Sequence, residues 1–267
     1  MVLKKFDTSE FGKVMDVIAP LSLMESWDNS GFQIDLGNNI EKVLVALELT
    51  EEVVNEGISK GVDIILTHHP MFFGDVNHIM STDPKGKMVI KLIQNNISLY
   101  SSHTPFDIAH GGNNDYLGKL LGFNKLFLMD ENDGFCRAGI YEEPKSILEI
   151  ATILSDKIGV DKCHFRLAGN KEQRVSKIAW CTGSGTDFIQ KAAELGYELF
   201  ITGDLKYHQA QDSLASGISV LDIGHFGSEI IFTENATSLL DKIISARGGE
   251  VSIIPSEVNV NPFTMLV

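Results

Sequence analysis

Short runs of aliphatic and β-branched residues alternate with helix-patterned segments along most of this chain. Strands that alternate with helices of this length form βαβ units, so the pattern predicts an α/β fold with largely parallel sheets. The apolar periodicity of the first part predicts, in order, strand 43–49, helix 51–61, strand 62–67, helix 85–96 and strand 97–102.

The second part of the chain continues this rhythm after a less regular middle stretch. Residues 124–176 predict a strand at 136–141, a helix at 145–158 and a strand near 163–167, as a connecting portion of the same architecture. The elements predicted beyond it are strand 177–182, helix 186–196, strand 198–202, helix 205–217, strand 218–223 and a long helix from about 227 to 247.

An internal repeat relates the two parts. With a shift of 135 residues, segment 42–69 aligns with segment 177–204 without a gap, and the apolar positions of both strands and the helix coincide. In each copy the next strand is followed by a histidine and, four residues later, a carboxylate, namely His103 and Asp107, and His225 and Glu229. The sequence therefore predicts a duplicated β-α-β-α-β unit. Two unrelated βαβ units that share a generic periodicity are the alternative.

The repeat divides the chain into two similar halves. A length of 267 residues suits one large domain or two ordinary ones, and a hydrophobic content of 43% allows a sizeable core. We predict a first α/β half at 1–123 and a second at 124–267 that includes the connecting segment, packed as one compact unit.

Charge and cysteine content limit the partners and the compartment. A formal net charge of −14 disfavours non-specific binding to nucleic acid phosphates or anionic membranes. Cys136, Cys163 and Cys181 lack C-x-x-C spacing, which indicates buried structural thiols rather than a disulfide framework. The N-terminal MVLKKFDTSEFG has no apolar signal-peptide core, and no apolar run approaches the ~20 residues of a membrane helix. We therefore expect a soluble cytoplasmic protein.

Histidines and carboxylates gather just beyond the predicted strand ends. His68 and His69 follow strand 62–67, and each His-x-x-x-carboxylate pair follows the last strand of its copy. Ligands of open α/β sheets bind outside the carboxyl ends of the strands, so a site is expected there. Adjacent strand residues point to opposite faces. His68 and His69 can therefore face one metal only if the backbone turns, which Pro70 favours, whereas a pair of metals suits either geometry.

Each cluster taken alone has an ordinary structural explanation. The pair of His68 and His69 can be structural or capping, and Asp107 can cap a local turn. His225 and Glu229 can form a surface pair one helical turn apart. Three such clusters at strand ends in one chain are much harder to attribute to chance.

The donor types narrow the chemistry to a metal site. Imidazole and carboxylate without thiolate suit zinc, manganese or iron, and argue against an all-oxygen magnesium or calcium site. A set of five ligands exceeds what one catalytic zinc ion uses, because one position must stay open for water; the five are His68, His69, Asp107, His225 and Glu229, with His103 close by. Two metal ions about 3.5–4 Å apart can be coordinated by a set of this size. Such a pair polarises a substrate oxygen and generates hydroxide at neutral pH. Hydrolases of phosphate esters, amides or ring C–N bonds use dinuclear metal sites of this kind.

Four segments together resemble a known family. They are SWDNSGFQ (26–33), LTHHPMFF (66–73), SSHTPFD (101–107) and DIGHFGSE (222–229), and their ordered combination is quite specific. The chain resembles, over nearly its whole length, the dinuclear-metal proteins called GTP cyclohydrolase 1 type 2 homologues, or Ngg1-interacting-factor-3-like proteins. Longer members carry an inserted ferredoxin-like domain between their halves. Here about 50 residues separate the halves, so the chain resembles the short form without that domain.

The resemblance implies a fold, a cofactor and a ligand set. It implies two similar α/β halves with the metal site between them, two divalent metal ions per chain (zinc, manganese or iron), and a ring-shaped homohexamer. The metal ligands implied by the resemblance are His68, His69, Asp107, His225 and Glu229. His103 lines the same site and is the candidate for a catalytic proton shuttle.

Three further residues are candidates for substrate binding. Asp28 and Asn29 lie in a polar turn, and a turn role explains them as well as the site-lining role that the resemblance suggests. Asp204 takes the place of His69 in the repeat and can contact substrate, although a helix N-cap is the simpler role. The Gly-Ser-Gly segment 183–185 is a weak candidate for a phosphate-binding turn, with a plain βα turn as the alternative.

The sequence leaves two classes of function open. The first is a metal-dependent hydrolase of a nucleotide, pterin or related small molecule. The alternative is a non-enzymatic metal-binding scaffold, metallochaperone or regulatory adaptor. Nucleic-acid processing is a weaker third hypothesis, because the acidic charge balance opposes binding to phosphate backbones.

Overall fold

The structure, a computed structural model, describes residues 6–131 and 133–266. Two units are distinguished by their internal contacts. The first comprises the described part of Met1–Gly112 together with Phe232–Val260, and the second comprises Asn113–Ile231 with the described part of Asn261–Val267. Each unit is built on one sheet with helices packed against it, so the predicted α/β class is confirmed.

Most predicted elements are present, with ends that differ by a few residues. The described strands are β1 (Gly31–Ile34), β2 (Lys42–Ala46), β3 (Ile64–Thr67), β4 (Ser98–Ser101), β5 (Phe127–Asp130), β6 (Asp133–Ser146), β7 (Arg166–Ala168), β8 (Arg174–Trp180), β9 (Leu199–Thr202), β10 (Ser219–Asp222) and β11 (Ser252–Pro255). The described α-helices are α1 (Thr8–Ile18), α2 (Glu51–Lys60), α3 (Pro84–Gln94), α4 (Thr104–Ile108), α5 (Asn113–Leu120), α6 (Ile147–Ile158), α7 (Ile189–Glu194), α8 (Tyr207–Ala215), α9 (His225–Glu229) and α10 (Ile231–Ala246).

The first unit is built on a five-stranded sheet in the order β1-β4-β3-β2-β11. β4, β3, β2 and β11 are parallel, whereas β1 at the edge is antiparallel to β4. Leu44 and Ile65 share a core with Val53 of α2 and Leu92 of α3, while the residues that alternate with them face the opposite side. The central strands β2, β3 and β4 are buried on both faces, which explains why β2 and β3 read as continuous apolar runs.

The second unit contains a six-stranded sheet in the order β5-β6-β8-β9-β10-β7. β8, β9 and β10 are parallel, and β5, β6 and β7 flank them with antiparallel pairing. The segment predicted as a connecting portion therefore supplies β5, β6, α6 and β7 to this sheet. Leu199 and Leu117 of α5 share one core cluster, and Phe200 and Ala192 of α7 share another. Helices thus pack against both faces of the parallel strands.

The predicted repeat is present in the strand pairing. In the first unit Val43 of β2 lies opposite Ile64 of β3, and in the second unit Ile178 of β8 lies opposite Leu199 of β9. Ile178 and Leu199 each lie 135 positions after their counterparts Val43 and Ile64, so the two parallel strand pairs have the same register. The alignment found in the sequence is thus also an alignment of backbone hydrogen bonds.

One side-chain detail is repeated as well. Asp63 Oδ2 accepts hydrogen bonds from the backbone N–H groups of residues 41–42, at 2.7 and 2.9 Å. Glu198, its counterpart in the repeat, accepts them from the N–H groups of residues 176–177, at 2.8 and 2.9 Å. A shared generic periodicity does not explain such a detail, which favours a true structural repeat.

The division between the units differs from the predicted boundary after residue 123. Helix α5 belongs to the second unit, and both α10 and β11 belong to the first. The reason is that β11 pairs in parallel with β2, with Ser252 opposite Lys42, so the C-terminal part of the chain returns to the first sheet. This strand was not among those predicted from the sequence, and a short apolar run would not indicate which sheet it joins.

The cysteines and the helices bear on the expected compartment. All three cysteines are free thiols, of which Cys136 and Cys181 are buried as predicted. Cys163 is exposed, because it lies in the short 3-10 turn Lys162–His164. Within residues 6–131 and 133–266, no helix has both the length and the apolar character needed to cross a membrane.

Candidate metal centre

The backbone turns sharply where His68 and His69 follow β3. Both of their N–H groups donate to the carbonyl of Leu47, each at 3.2 Å, so the chain does not continue as an extended strand. The Thr67 hydroxyl donates to the His69 carbonyl at 2.9 Å and stabilises this turn. The two rings therefore lie close together, with centroids 5.0 Å apart. The break that Pro70 suggested is present.

His103 and Asp107 extend the same cluster from α4. The His103 ring lies 5.2 Å from that of His68 and 5.4 Å from that of His69, measured between centroids. Asp107 lies in the first turn of α4, and its Oδ2 is 3.6 Å from His68 Nε2. The ligand atoms of the three histidines lie within 4.8 Å of one another, close enough to share one metal ion. The first unit thus carries both predicted clusters of its half in one place.

The second unit has its own pair, His225 and Glu229, which share one face of the short helix α9. His225 Nε2 and Glu229 Oε2 are 3.0 Å apart, as the i,i+4 spacing predicted. The hydrogen bond with Glu229, supported by Asp204, outweighs burial and raises the pKa of His225 to about 9. The long helix predicted from about residue 227 is divided here, because Ile230 separates α9 from α10.

A shared feature of the four imidazoles is that Nδ1 of each ring is held by an oxygen of its own unit. The contacts are His68 with the Ser102 carbonyl at 2.9 Å, His69 with Glu48 at 2.9 Å, His103 with Asp28 at 3.0 Å, and His225 with Asp204 at 2.8 Å. An acceptor on Nδ1 fixes the orientation of the ring and makes Nε2 the atom for a metal ion, an arrangement found in nearly all histidine metal ligands. This pattern distinguishes these four histidines from histidines that follow strands by chance.

Asp28 is a buried support for His103. Its carboxylate accepts hydrogen bonds from the Ser30 hydroxyl at 2.7 Å, from the Thr104 hydroxyl at 2.6 Å and from the Thr104 backbone N–H at 3.1 Å, and it contacts His103 Nδ1. Burial alone raises the pKa of Asp28, but the hydrogen bonds outweigh it and hold the pKa well below the usual range. The side chain faces His103 and Thr104 rather than solvent, which suits a positioning role better than the predicted contact with substrate.

Asn29 and Asp204 occupy more open positions. The Asn29 amide donates to the Phe72 carbonyl at 2.9 Å and remains exposed. Asp204 has a left-handed backbone, with φ of 58°, and its side chain contacts His225. The predicted N-cap role for Asp204 is wrong, because Lys206 is the N-cap residue of α8. Its side chain is 50% exposed and remains a candidate for contact with substrate.

The Gly-Ser-Gly turn has a role that its sequence did not reveal. The Gly183 N–H donates to the Ser228 hydroxyl at 2.8 Å, and the Gly185 N–H donates to the Thr202 hydroxyl at 2.9 Å, so neither is directed at a phosphate. A Cβ atom at Gly183 would lie 2.3 Å from Glu229 Oε1. Gly183 therefore provides the space that the Glu229 carboxylate occupies.

The Gly183→Ala variant is expected to weaken metal binding by about tenfold or more, because the added methyl group displaces the Glu229 carboxylate. Gly37→Ala is a matched control. Gly37 has a similar φ, 64° against 68° for Gly183, but no atom lies within 4 Å of its added Cβ. Competition titrations with a chromogenic zinc chelator measure both variants. Equal affinities would show that the space at Gly183 is unimportant.

The sequence did not single out Glu48 as a functional residue. It was placed inside the predicted buried strand 43–49, whereas β2 ends at Ala46 and the Glu48 side chain reaches His69. A carboxylate at the end of an otherwise apolar run was the available signal.

The comparisons with known proteins agree with the motifs. The model of the family described as Duf34/NIF3 (NGG1p interacting factor 3) matches residues 6–262. This chain belongs to the Duf34/NIF3 family. The match covers nearly the whole chain and includes all four motif segments, so the resemblance to NGG1p-interacting-factor-3-like proteins is confirmed.

Individual Duf34/NIF3 relatives cover the chain equally well. A protein of Clostridium perfringens named GTP cyclohydrolase 1 type 2 homolog is 38% identical over 259 residues, 95% of this chain and 97% of the relative. The crystal structure of a Staphylococcus aureus hypothetical protein matches with a TM-score of 0.91 at 25% identity, covering 98% of this chain and 100% of the other. A Bacillus cereus protein related to NIF3 also has a TM-score of 0.91, at 22% identity and with coverage of 98% and 100%, and shares the fold.

Proposed function

We propose that this Duf34/NIF3 protein is a metal-dependent hydrolase of a nucleotide, pterin or related small molecule. The proposed centre holds two divalent ions, zinc, manganese or iron, through His68, His69, Asp107, His225 and Glu229. The combination of ligands from both units in one centre is proposed from the family resemblance. A small molecule rather than nucleic acid is the proposed substrate, since the net charge of −14 opposes binding to phosphate backbones.

The orientation of the imidazoles is the main support for a metal centre. Their Nδ1 atoms are held by oxygens, which leaves Nε2 as the ligand atom, and buried carboxylates accompany them in both units. This mixed set of nitrogen and oxygen donors fits the borderline divalent metals named above. The residues present therefore fit the cofactor that the family implies.

His103 is proposed as the proton-transfer residue. Two bound divalent ions supply Lewis acidity and lower the pKa of water towards neutrality. Asp28, held in its charged form, accepts from His103 Nδ1 and fixes the ring, so that Nε2 can exchange a proton with water or substrate. The His103 side chain is only 13% exposed, which limits proton exchange with bulk solvent.

The His103→Gln variant is expected to retain bound metal and to lose about 100-fold or more in kcat, the usual size of a general acid–base contribution. His208→Gln, at an exposed position on α8, is the control and should retain full activity. Metal-loaded protein is assayed against a panel of nucleotides and pterins. Loss of metal from His103→Gln would instead make His103 a ligand, and absence of turnover on the whole panel would contradict the hydrolase.

A non-enzymatic role as metal-binding scaffold, metallochaperone or regulatory adaptor is the second candidate. The side chain of the proposed ligand His225 is 39% exposed, which favours this role, because a ligand that reaches solvent releases metal more readily. Rapid transfer of metal to a chelator, together with no turnover on the panel, would favour this function over hydrolysis.

We also propose that the protein assembles as the homohexamer that the family resemblance implies. One chain has a mass of 29.4 kDa, so light scattering on the eluted peak should give about six times that mass. A mass of one or two chains would contradict the hexamer.

A further inference from the structure

Two large aromatic rings lie in solvent beside the His103 imidazole. The Trp27 side chain is 59% exposed and that of Phe73 is 54% exposed. Their ring centroids lie 5.6 and 5.8 Å from that of His103, with interplanar angles of 77° and 82°. The same imidazole therefore has an aromatic neighbour from each of two separate loops. Trp180, by contrast, is fully buried in the second unit.

The loops that carry these rings are tied to each other. The Asn29 amide donates to the Phe72 carbonyl at 2.9 Å, and the Phe72 N–H donates to Gln33 Oε1 at 3.3 Å. Phe72 itself packs against the core of the first unit, which anchors the backbone that leads to Phe73. A side chain on a backbone that is already held in place loses less conformational entropy when a ligand contacts it.

The Trp27 side of the site is anchored in the same way. The Asp28 N–H donates to the Glu25 carbonyl at 3.0 Å and closes a turn around Trp27. The Glu25 N–H donates to the Thr104 hydroxyl at 3.1 Å, which fixes this turn on the first residue of α4. Hydrogen bonds thus hold the backbone beside each exposed ring.

We propose that Trp27 and Phe73 bind a planar nitrogen heterocycle of the purine or pterin class and orient it beside the metal ligands. Exposed aromatic faces stack on flat heterocycles whatever their substituents, and the energy comes from π-face contact and desolvation. The inference rests on the proposed function, because stacking of the heterocycle on these side chains would place the bond to be hydrolysed near His103. A cationic ligand is disfavoured, since two bound divalent ions would repel a further cation.

The experiment compares ring-containing probes with a probe that has no ring. Isothermal titration calorimetry measures the binding of GTP, neopterin and inorganic tripolyphosphate to metal-loaded wild type, Trp27→Leu, Phe73→Leu and the control Phe127→Leu. Phe127 is an exposed ring on β5 of the second unit. Metal content and native mass are measured for every variant. Because the chain has two tryptophans and Trp180 is buried, quenching of the exposed fluorophore reports on Trp27.

The expected result is that GTP and neopterin quench wild-type fluorescence and bind about tenfold more weakly to Trp27→Leu and Phe73→Leu. Tripolyphosphate affinity, metal content and the behaviour of Phe127→Leu should stay unchanged. The stacking role is overturned if wild type binds neither ring compound while it holds metal, or if both variants bind them as wild type does. It is also overturned if the variants change the native mass and leave ring binding intact, because the rings would then be subunit contacts.

Failure of the metal centre gives a different result. If no metal binds, the proposed hydrolase is contradicted, and the stacking role is then judged on neopterin binding to the metal-free protein. A tenfold loss in Trp27→Leu under those conditions supports the stacking role, and equal binding overturns it.

Discussion

The Glu229→Gln variant is expected to lose at least about 100-fold in metal affinity and all metal-dependent turnover, while its fold survives. Removal of a residue that merely orients a metal ligand costs 10–100-fold, so loss of a carboxylate ligand should cost at least as much. Glutamine keeps the shape that fits against Gly183, but its amide provides no anionic oxygen. Isothermal titration with zinc or manganese measures the affinity, and circular dichroism checks the fold.

Glu234→Gln is the matched control for Glu229→Gln. It removes the same charge from an exposed position in the first turn of α10 and should leave both metal affinity and turnover unchanged. If Glu229→Gln binds metal as tightly as this control, Glu229 is not a ligand.

The Asp28→Ala variant is expected to lower the free energy of unfolding by about 3 kcal/mol. The change leaves a buried hydroxyl and a backbone N–H of Thr104 without their acceptor and releases the His103 ring. Urea unfolding of the metal-free protein measures the loss. Asp35→Ala is the control, because Asp35 is exposed and accepts one hydrogen bond from the nearby Gly37 N–H, and its change should stay within about 0.5 kcal/mol.

The effect of Asp28 should depend on pH in a defined direction. Its pKa in the folded protein lies below the unfolded value of 3.8, so its stabilisation is complete above that value and is lost as the pH falls further. The difference in unfolding free energy between wild type and Asp28→Asn should therefore be largest near neutral pH and shrink in acid. A difference that grows in acid would contradict a charged Asp28 in the folded state.

The sequence predicted the repeated unit because each step leaves a local signature. Apolar runs mark β2, β3, β8 and β9, and Gly61 ends α2 with the left-handed backbone that glycine adopts readily. The site could be predicted because the carboxyl ends of parallel strands meet at one edge of a sheet. His68, His69 and the two His-x-x-x-carboxylate pairs all follow such ends.

Asp28 and Asp204 were predicted as site residues, but their role in orienting a histidine could not be predicted, because each partner is distant in sequence. Asp28 and His103 are 75 residues apart, and Asp204 reaches His225 across 21 residues from a turn that resembled a helix cap. Gly183 is needed because its missing side chain leaves room for the Glu229 carboxylate, and no sequence pattern indicates such a requirement. The sheet that β11 joins is likewise decided by packing, since its short apolar run suits either sheet.

Metal content tests the central claim most directly. Purified protein reconstituted with zinc, manganese or iron is dialysed and measured by elemental analysis, beside an Asp107→Ala, Glu229→Ala double variant whose fold is verified. We predict about two metal ions per chain in the wild type, as a dinuclear centre requires, and their loss in the double variant. No stoichiometric metal in the wild type, even after reconstitution, would contradict the dinuclear centre.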